Sequence, residues 1–200
     1  MIVFPRTAGI ILAAGASSRM GSPKALLEYR GETFVNRLIG VLGSSCDPVI
    51  VVLAHHAAAI RAQSDPRARF VENPDPDRGQ LSSLQTALAV VPAEVEGFFF
   101  TPVDCPAAEP ETVAFLSRAV GRRDPGVLLV VPQFQGKHGH PVFAARPLIA
   151  EFLALPATAQ AREVVHAHKH ETRYVDVDDP GILTDIDDIE AYRRLAGSSR

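Results

Sequence analysis

The sequence predicts an α/β domain built on a Rossmann-like, doubly wound and mostly parallel sheet with a short antiparallel excursion. Three observations predict it. Short apolar runs suited to buried strands recur along the chain, segments with helical apolar spacing lie between them, and the alternation breaks after Val131 in a turn-rich stretch. At 200 residues and 46% hydrophobic content, the chain is expected to form one domain, 1–200, with a sizeable core.

The expected strands cover residues 9–13, 49–54, 69–72, 97–102 and 127–131. After the first, Phe34, Leu38, Val41 and Leu42 follow the i, i+4, i+7, i+8 rule, and Gly43 suits the stop of that helix. Leu81, Leu84 and Leu88 predict a second helix, with Ser82 as its cap and Gln85 completing a capping box. Val113, Leu116 and Val120 line a third, which ends before Gly121. The stretch PQFQGKHGHPVFAA reads as the antiparallel excursion. Helices over 147–155 and 161–168, a late strand in TRYVDVDD and a closing helix in DIDDIEAYRRL complete the order.

The 20 basic and 23 acidic residues give a net charge of -3, which argues against a broad nucleic-acid or anionic-membrane surface. No apolar run is long enough to span a bilayer, and MIVFPRTAG lacks the layout of a signal peptide, so the expected location is the cytoplasm. Cys46 and Cys105 form neither a metal-ligand spacing nor a disulfide framework and are expected to be reduced thiols.

The chemistry concentrates in LAAGASSRMGSPK, residues 12–24. This is the loop after the first strand, at the carboxyl end where ligands of open parallel sheets bind. Its glycines let backbone N–H groups approach a phosphate, and Arg19 and Lys24 can neutralise a polyphosphate. It is not a Walker loop, since Gly15 and Gly21 are followed by Ser-Pro-Lys, and G-x-G-x-x-G is absent. On residues alone, a surface turn with two solvated cations also fits. Asp104 follows GFFFTPV, so a strand delivers it to the same edge, although a turn former in VDCP is the plainer reading. His166, His168 and His170 are split across helix faces and read as an exposed polar helix end. His55 and His56 mark a strand end.

Five stretches, in order, resemble the MobA/MocA-like molybdenum-cofactor nucleotidyltransferases: LAAGASSRMGSPK, NPDPDRGQLSSLQTAL, FFFTPVDCP, GKHGHPVF and DPGILTDIDDIEAY. The LAAG start is more similar to the cytidylyltransferase branch than to the LAGG of the guanylyltransferase branch. The resemblance implies that Arg19 and Lys24 hold the triphosphate while Mg²⁺ on Asp104 bridges the α-phosphate. The acceptor's own phosphate then attacks, and no side-chain nucleophile or general base is required. It places the nucleotide near Leu12, Ala13, Ala14, Gly15 and the RGQLSSL turn, where Gly79 allows close approach and Ser82 or Ser83 bonds base or ribose. His140 either lines the acceptor pocket or stands in solvent on a hairpin.

A second carboxylate is expected from the crowd Asp176, Asp178, Asp179, Asp185, Asp187 and Asp188, which is too many for all to be ligands. Asp187 suits a helix N-cap with Glu190 at the third position, and Asp185, just before it, is the choice for the second metal contact. The implied partners are an NTP (CTP by the LAAG start), molybdopterin as acceptor, and a molybdoenzyme or its chaperone. The alternatives are guanylyl transfer, another small phosphate acceptor such as a sugar phosphate or phospholactate, and a nucleotide-binding accessory protein without turnover.

Overall fold

The computed structural model of the chain describes residues 5–16 and 22–197. In chain order its elements are β1 (Thr7–Leu12), β2 (Glu28–Tyr29), β3 (Glu32–Thr33), α1 (Phe34–Gly43), β4 (Val49–Leu53), α2 (Ala57–Ala62), β5 (Arg69–Glu72), α3 (Gln80–Leu88), β6 (Gly97–Pro102), α4 (Pro110–Gly121), β7 (Leu129–Phe134), β8 (Lys137–His138), β9 (Val142–Ala145), α5 (Leu148–Ala154), α6 (Arg162–Ala167), β10 (Thr172–Asp176) and α7 (Ile189–Gly197). The main sheet runs β10-β7-β9-β6-β1-β4-β5, and β8 folds back on β7 as a hairpin. All neighbours along that path are parallel except β9, which is antiparallel to both β6 and β7. Among the described residues, no helix is long and apolar enough to cross a membrane.

The near-continuous apolar runs of β1, β4 and β6 suit strands covered on both faces. Alternation divides their side chains between two layers. Ile11, Val51 and Phe99 pack with α1 and α4, whereas Ile10, Ile50, Phe98 and Phe100 pack with α3 and α5. Each fully buried side chain of this kind contributes about 1.5–3 kcal/mol, so the Phe98–Phe100 run anchors both layers at once. A Cβ on Gly97 would fall onto the Phe143 ring, so β9 pairs closely with β6 because that position has none.

The topology also fixes where a ligand can sit. From β1 the chain moves to β4 and β5 on one side, then returns through β6 on the other. The carboxyl ends of β1 and β6 therefore open a crevice at the switch point of the sheet.

Three expectations need correction. The strand expected at 127–131 runs from Leu129 to Phe134, because the Val127 amide closes a turn on the Asp124 carbonyl at 2.9 Å. Pro132 is tolerated inside it because the rungs to β9 end at Val130. Ser82 does not cap α3: the helix starts at Gln80 on Gly79, and Gln85 reaches instead to the Phe152 and Leu155 carbonyls, both at 3.0 Å.

The third is His168, which is no exposed polar end, although His166 and His170 are exposed. Its Nε2 faces Glu151 of α5 at 2.8 Å and its Nδ1 faces Glu171 at 2.5 Å. Those hydrogen bonds, Glu151 first, raise its pKa above the ordinary imidazole value. The clamp's stabilisation is therefore fully present below about pH 6.5 and is lost as pH rises through the raised value. With half-exposed partners it is worth at most about 1 kcal/mol, or roughly 2–4 °C. His168→Gln is expected to melt lower than the parent near pH 6 and to converge with it at alkaline pH. Parallel melting curves across pH would remove the clamp from the account.

Candidate functional site

The crevice is built from three stretches of backbone. Leu12, Ala13, Ala14 and Gly15 continue β1 into one wall, and Pro102, Val103 and Asp104 continue β6 into the second. Two bonds hold these walls, Ala13 N–H to the Val52 carbonyl at 2.9 Å and Val103 N–H to the Leu12 carbonyl at 3.0 Å. Pro76, Gly79, Gln80 and Ser83 form the third wall, and Lys24 joins them from the 3-10 turn Lys24–Leu26. Gly79 has φ +83, a conformation L side chains rarely adopt, and no atom lies within 4 Å of where its Cβ would be. The backbone there stays open to a close-approaching ligand.

Asn73 organises that third wall. It is buried, and its Nδ2 donates to Ser82 Oγ at 2.8 Å and to Ser83 Oγ at 3.1 Å, while its Oδ1 accepts from the Asp75 amide at 3.0 Å. Ser82 Oγ also bonds the Asp75 and Gly79 carbonyls, so this hydroxyl braces the turn from inside and is not among the residues lining the crevice. Ser83 does line it.

The charged centre lies where β6 ends. Lys24 Nζ donates to Asp104 Oδ2 at 2.9 Å and to Asp187 Oδ1 at 3.3 Å. Burial pulls the Lys24 pKa down, but the bonds and charges of Asp104 and Asp187 outweigh it and leave the pKa raised. The Ile186 amide donates to the Asp104 carbonyl at 2.9 Å, which seats residues 185–187 against the end of β6. Ligand atoms of Asp104, Cys105 and Asp185 consequently lie within 4.8 Å of one another. Burial, followed by the Asp104 and Asp187 charges, pushes the Asp185 carboxyl above its usual range, with Lys24 opposing. Burial likewise pushes the Cys105 thiol up. Crowded carboxylates on two segments are the oxygen-donor set a hard divalent cation takes, so the residues fit Mg²⁺ or Mn²⁺.

The acidic crowd sorts by contact. Asp176 accepts from Gln133 at 2.9 Å, and Asp179 is buried and accepts from Glu109 and Gly181 amides and the Thr112 hydroxyl. The N-cap of α7 is Asp188, whose Oδ1 accepts from the Ala191 amide at 2.8 Å; Asp187, the expected cap, turns to Lys24. A one-residue shift moves a side chain about 100° around a helix, which the capping pattern alone does not resolve. Asp188→Ala is expected to lower stability measurably and Asp188→Asn much less, because Asn keeps the capping oxygen. Chemical denaturation of both variants checks it, and an unperturbed Asp188→Ala would rule out the cap.

Arg19 lies outside the described residues, as do Gly21 and the rest of 17–21. His140 is neither in solvent nor lining the crevice: it is tucked beside Phe100, with ring centroids 6.4 Å apart, and its Nδ1 is buried without a hydrogen-bond partner. Burial lowers its pKa and favours the neutral ring. Sequence reasoning missed Gln80, Asn73, Cys105 and Asp187 as contributors. Gln80 and Asn73 lie inside a quoted motif, Cys105 follows Asp104 directly, and Asp187 carried a signal that pointed to a cap.

This fold is that of the α/β nucleotidyltransferases. Residues 9–172 match the MobA-like NTP transferase domain, and the chain belongs to that family. It is 27% identical over 180 residues to the molybdenum cofactor cytidylyltransferase of Escherichia coli K12, covering 89% of each chain. It is 31% identical over 147 residues to a probable molybdenum cofactor guanylyltransferase of Rhodopirellula baltica, covering 72% of this chain and 69% of that one. It is also 32% identical over 202 residues to the nicotine blue oxidoreductase of Paenarthrobacter nicotinovorans, covering 96% and 97%. Among solved structures, Rv0371c of Mycobacterium tuberculosis H37Rv matches with a TM-score of 0.85 at 29% identity, over 98% of this chain and 99% of that one. The same protein in complex with manganese matches with a TM-score of 0.79 at 27% identity, over 96% and 99%.

Proposed function

We propose that the protein transfers a nucleotide from an NTP, CTP in preference to GTP, to a small phosphate-bearing acceptor, molybdopterin foremost, and releases pyrophosphate. One observation carries this reading: residues 12–15 after β1, Lys24 and Asp104 line one crevice at the switch point of the sheet, with the Asp185 carboxylate within 4.8 Å of Asp104. The cytidylyltransferase relative and Ala14 in the crevice wall favour CTP and the molybdopterin acceptor.

Both substrates are anionic, so the chain must cancel charge and hold the α-phosphorus in line with the attacking oxygen. An acceptor phosphate oxygen forms the new bond to that phosphorus, and pyrophosphate leaves with the old one. The amides of 13–15 and Gly79 approach the nucleotide, and Ser83 supplies a hydroxyl. Lys24 exchanges its carboxylate partners for the triphosphate, and Arg19 adds its guanidinium to the same charge. Asp104 and Asp185 would hold a divalent cation, Mg²⁺ by resemblance and Mn²⁺ by analogy with the manganese-bound relative, and such a cation would supply positive charge toward the phosphate groups. His140, neutral behind Phe100, shapes the acceptor side of the hairpin. A cytoplasmic site of action with a molybdoenzyme or its chaperone as recipient accords with this chemistry.

Lys24→Ala is expected to raise the KM for NTP about 10- to 150-fold, the worth of a charge-assisted phosphate contact of roughly 1.5–3 kcal/mol, while the fold survives. Unchanged kinetics would remove Lys24 from the site. The deciding assay is pyrophosphate release with each of four NTPs, with and without molybdopterin. Release with CTP that requires molybdopterin supports the reading, and a GTP preference corrects the base alone. No release under any condition, with redox turnover instead, would move the chain to the activity class of its oxidoreductase relative.

A further inference from the structure

We propose that Cys105 adds a thiolate donor to the cation site of Asp104 and Asp185, so that the site holds thiophilic divalent ions more tightly than Mg²⁺. The inference rests on the reading of those two carboxylates as the cation site.

The placement comes from the backbone. Asp104 and Cys105 are consecutive residues leaving β6, in a turn where the Cys105 amide donates to the Pro102 carbonyl at 3.3 Å. Asp185 arrives from a segment far along the chain, fixed there by the Ile186 amide on the Asp104 carbonyl. The three side chains bring one sulfur and two carboxylate oxygens within 4.8 Å of one another. Metal–oxygen and metal–sulfur bonds of about 2.0–2.3 Å require only that these atoms close in by about an ångström. The thiol is buried, so it adds a donor on the protein side of the site, where solvent cannot compete for a bound ion.

Mg²⁺ takes oxygen ligands, prefers water to sulfur, and gains nothing from Cys105. Zn²⁺, Co²⁺ and Cd²⁺ bind thiolate strongly. On binding, the metal–sulfur bond replaces the S–H bond and the proton leaves to solvent, so no oxidant or reductant is needed. Cys46 supplies an internal control. It is equally buried, but its sulfur accepts from the Thr7 hydroxyl at 3.8 Å and it belongs to no such ligand group among the described residues.

Titration of the full chain with Co²⁺ under a non-thiol reductant tests this. The wild type is expected to develop a near-ultraviolet thiolate-to-cobalt charge-transfer band that saturates at one equivalent. Cys46→Ser should keep that band. Cys105→Ser and Cys105→Ala should lose it and bind Co²⁺ or Zn²⁺ at least tenfold more weakly, with Mg²⁺ affinity unchanged. Cobalt bound with only weak oxygen-type bands in the wild type overturns the thiolate while leaving the carboxylate site intact. A band that persists in both Cys105 variants also overturns it. No cobalt binding to the wild type would remove the carboxylate site and the proposal together; where cobalt does bind, unchanged affinity in Asp104→Asn would put the cation elsewhere and overturn both.

Discussion

Asp104→Asn is expected to lower kcat/KM for nucleotide transfer about 10³-fold without unfolding the protein. The substitution keeps the size of the side chain and removes its charge. A divalent cation at a phosphoryl centre contributes several kcal/mol of transition-state stabilisation, and each 1.4 kcal/mol is a factor of ten. The loss should concentrate at Asp104 because β6 holds it rigidly: Phe98 and Phe99 are fully buried, and the Val103 amide is bonded to β1. The same change leaves the Lys24–Asp187 pair in place, so NTP binding should suffer less than turnover. Asp185→Asn should be damaging to a smaller degree, since that carboxylate is more exposed and is crowded by its neighbours. Steady-state kinetics at saturating Mg²⁺, with parallel Mn²⁺ titrations, measure both. Wild-type turnover in Asp104→Asn would refute the carboxylate-held cation outright.

Much of this site was legible because its parts are local in sequence. The strands at 69–72 and 97–102 begin and end as expected, since apolar runs bounded by turn residues need no distant partner to define them. The walls at 12–15 and at Gly79, Ser83 and Asp104 follow from motif position and sheet topology, and they line one crevice. What was not legible depends on contacts between residues far apart in the chain. Ser82 satisfies capping chemistry on paper, yet its hydroxyl goes to Asn73, a buried amide whose reach no periodicity encodes. His168 looks like one of three solvated histidines until α5 brings Glu151 to its far nitrogen. Six nearby aspartates share one residue type, and only the approach of other backbones separates ligand, cap and brace.

That separation yields the largest expected effect on stability, at Asp179. Its carboxylate is buried and fully used: Oδ2 accepts from the Glu109 amide at 3.0 Å and the Thr112 hydroxyl at 2.6 Å, and Oδ1 accepts from the Gly181 amide at 2.8 Å. These bonds tie the start of α4 to the 3-10 turn Pro180–Leu183, which leads directly into Asp185. Around the turn the backbones are in close contact. A Cβ on Gly181 would fall onto the Ala107 carbonyl and one on Gly139 onto the Ile182 carbonyl, while the His140 amide donates to Ile182 at 3.0 Å. Asp179→Ala strands three donors, each costing about 1–3 kcal/mol if left unpaired, and partial rehydration should bring the total to about 3 kcal/mol. Asp179→Asn retains one acceptor oxygen and should cost about half as much. Because the turn carries Asp185, Asp179→Ala should also weaken Mn²⁺ binding, although the residue is no ligand. Asp185→Asn should weaken the metal with little change in stability, so the two variants distinguish brace from ligand. Denaturant unfolding with unchanged slope, paired with calorimetric Mn²⁺ titration, reads both quantities. An Asp179→Ala protein within about 0.5 kcal/mol of the parent, the range of ordinary surface substitutions, would mean that the acidic segment is held to the sheet by something other than this carboxylate.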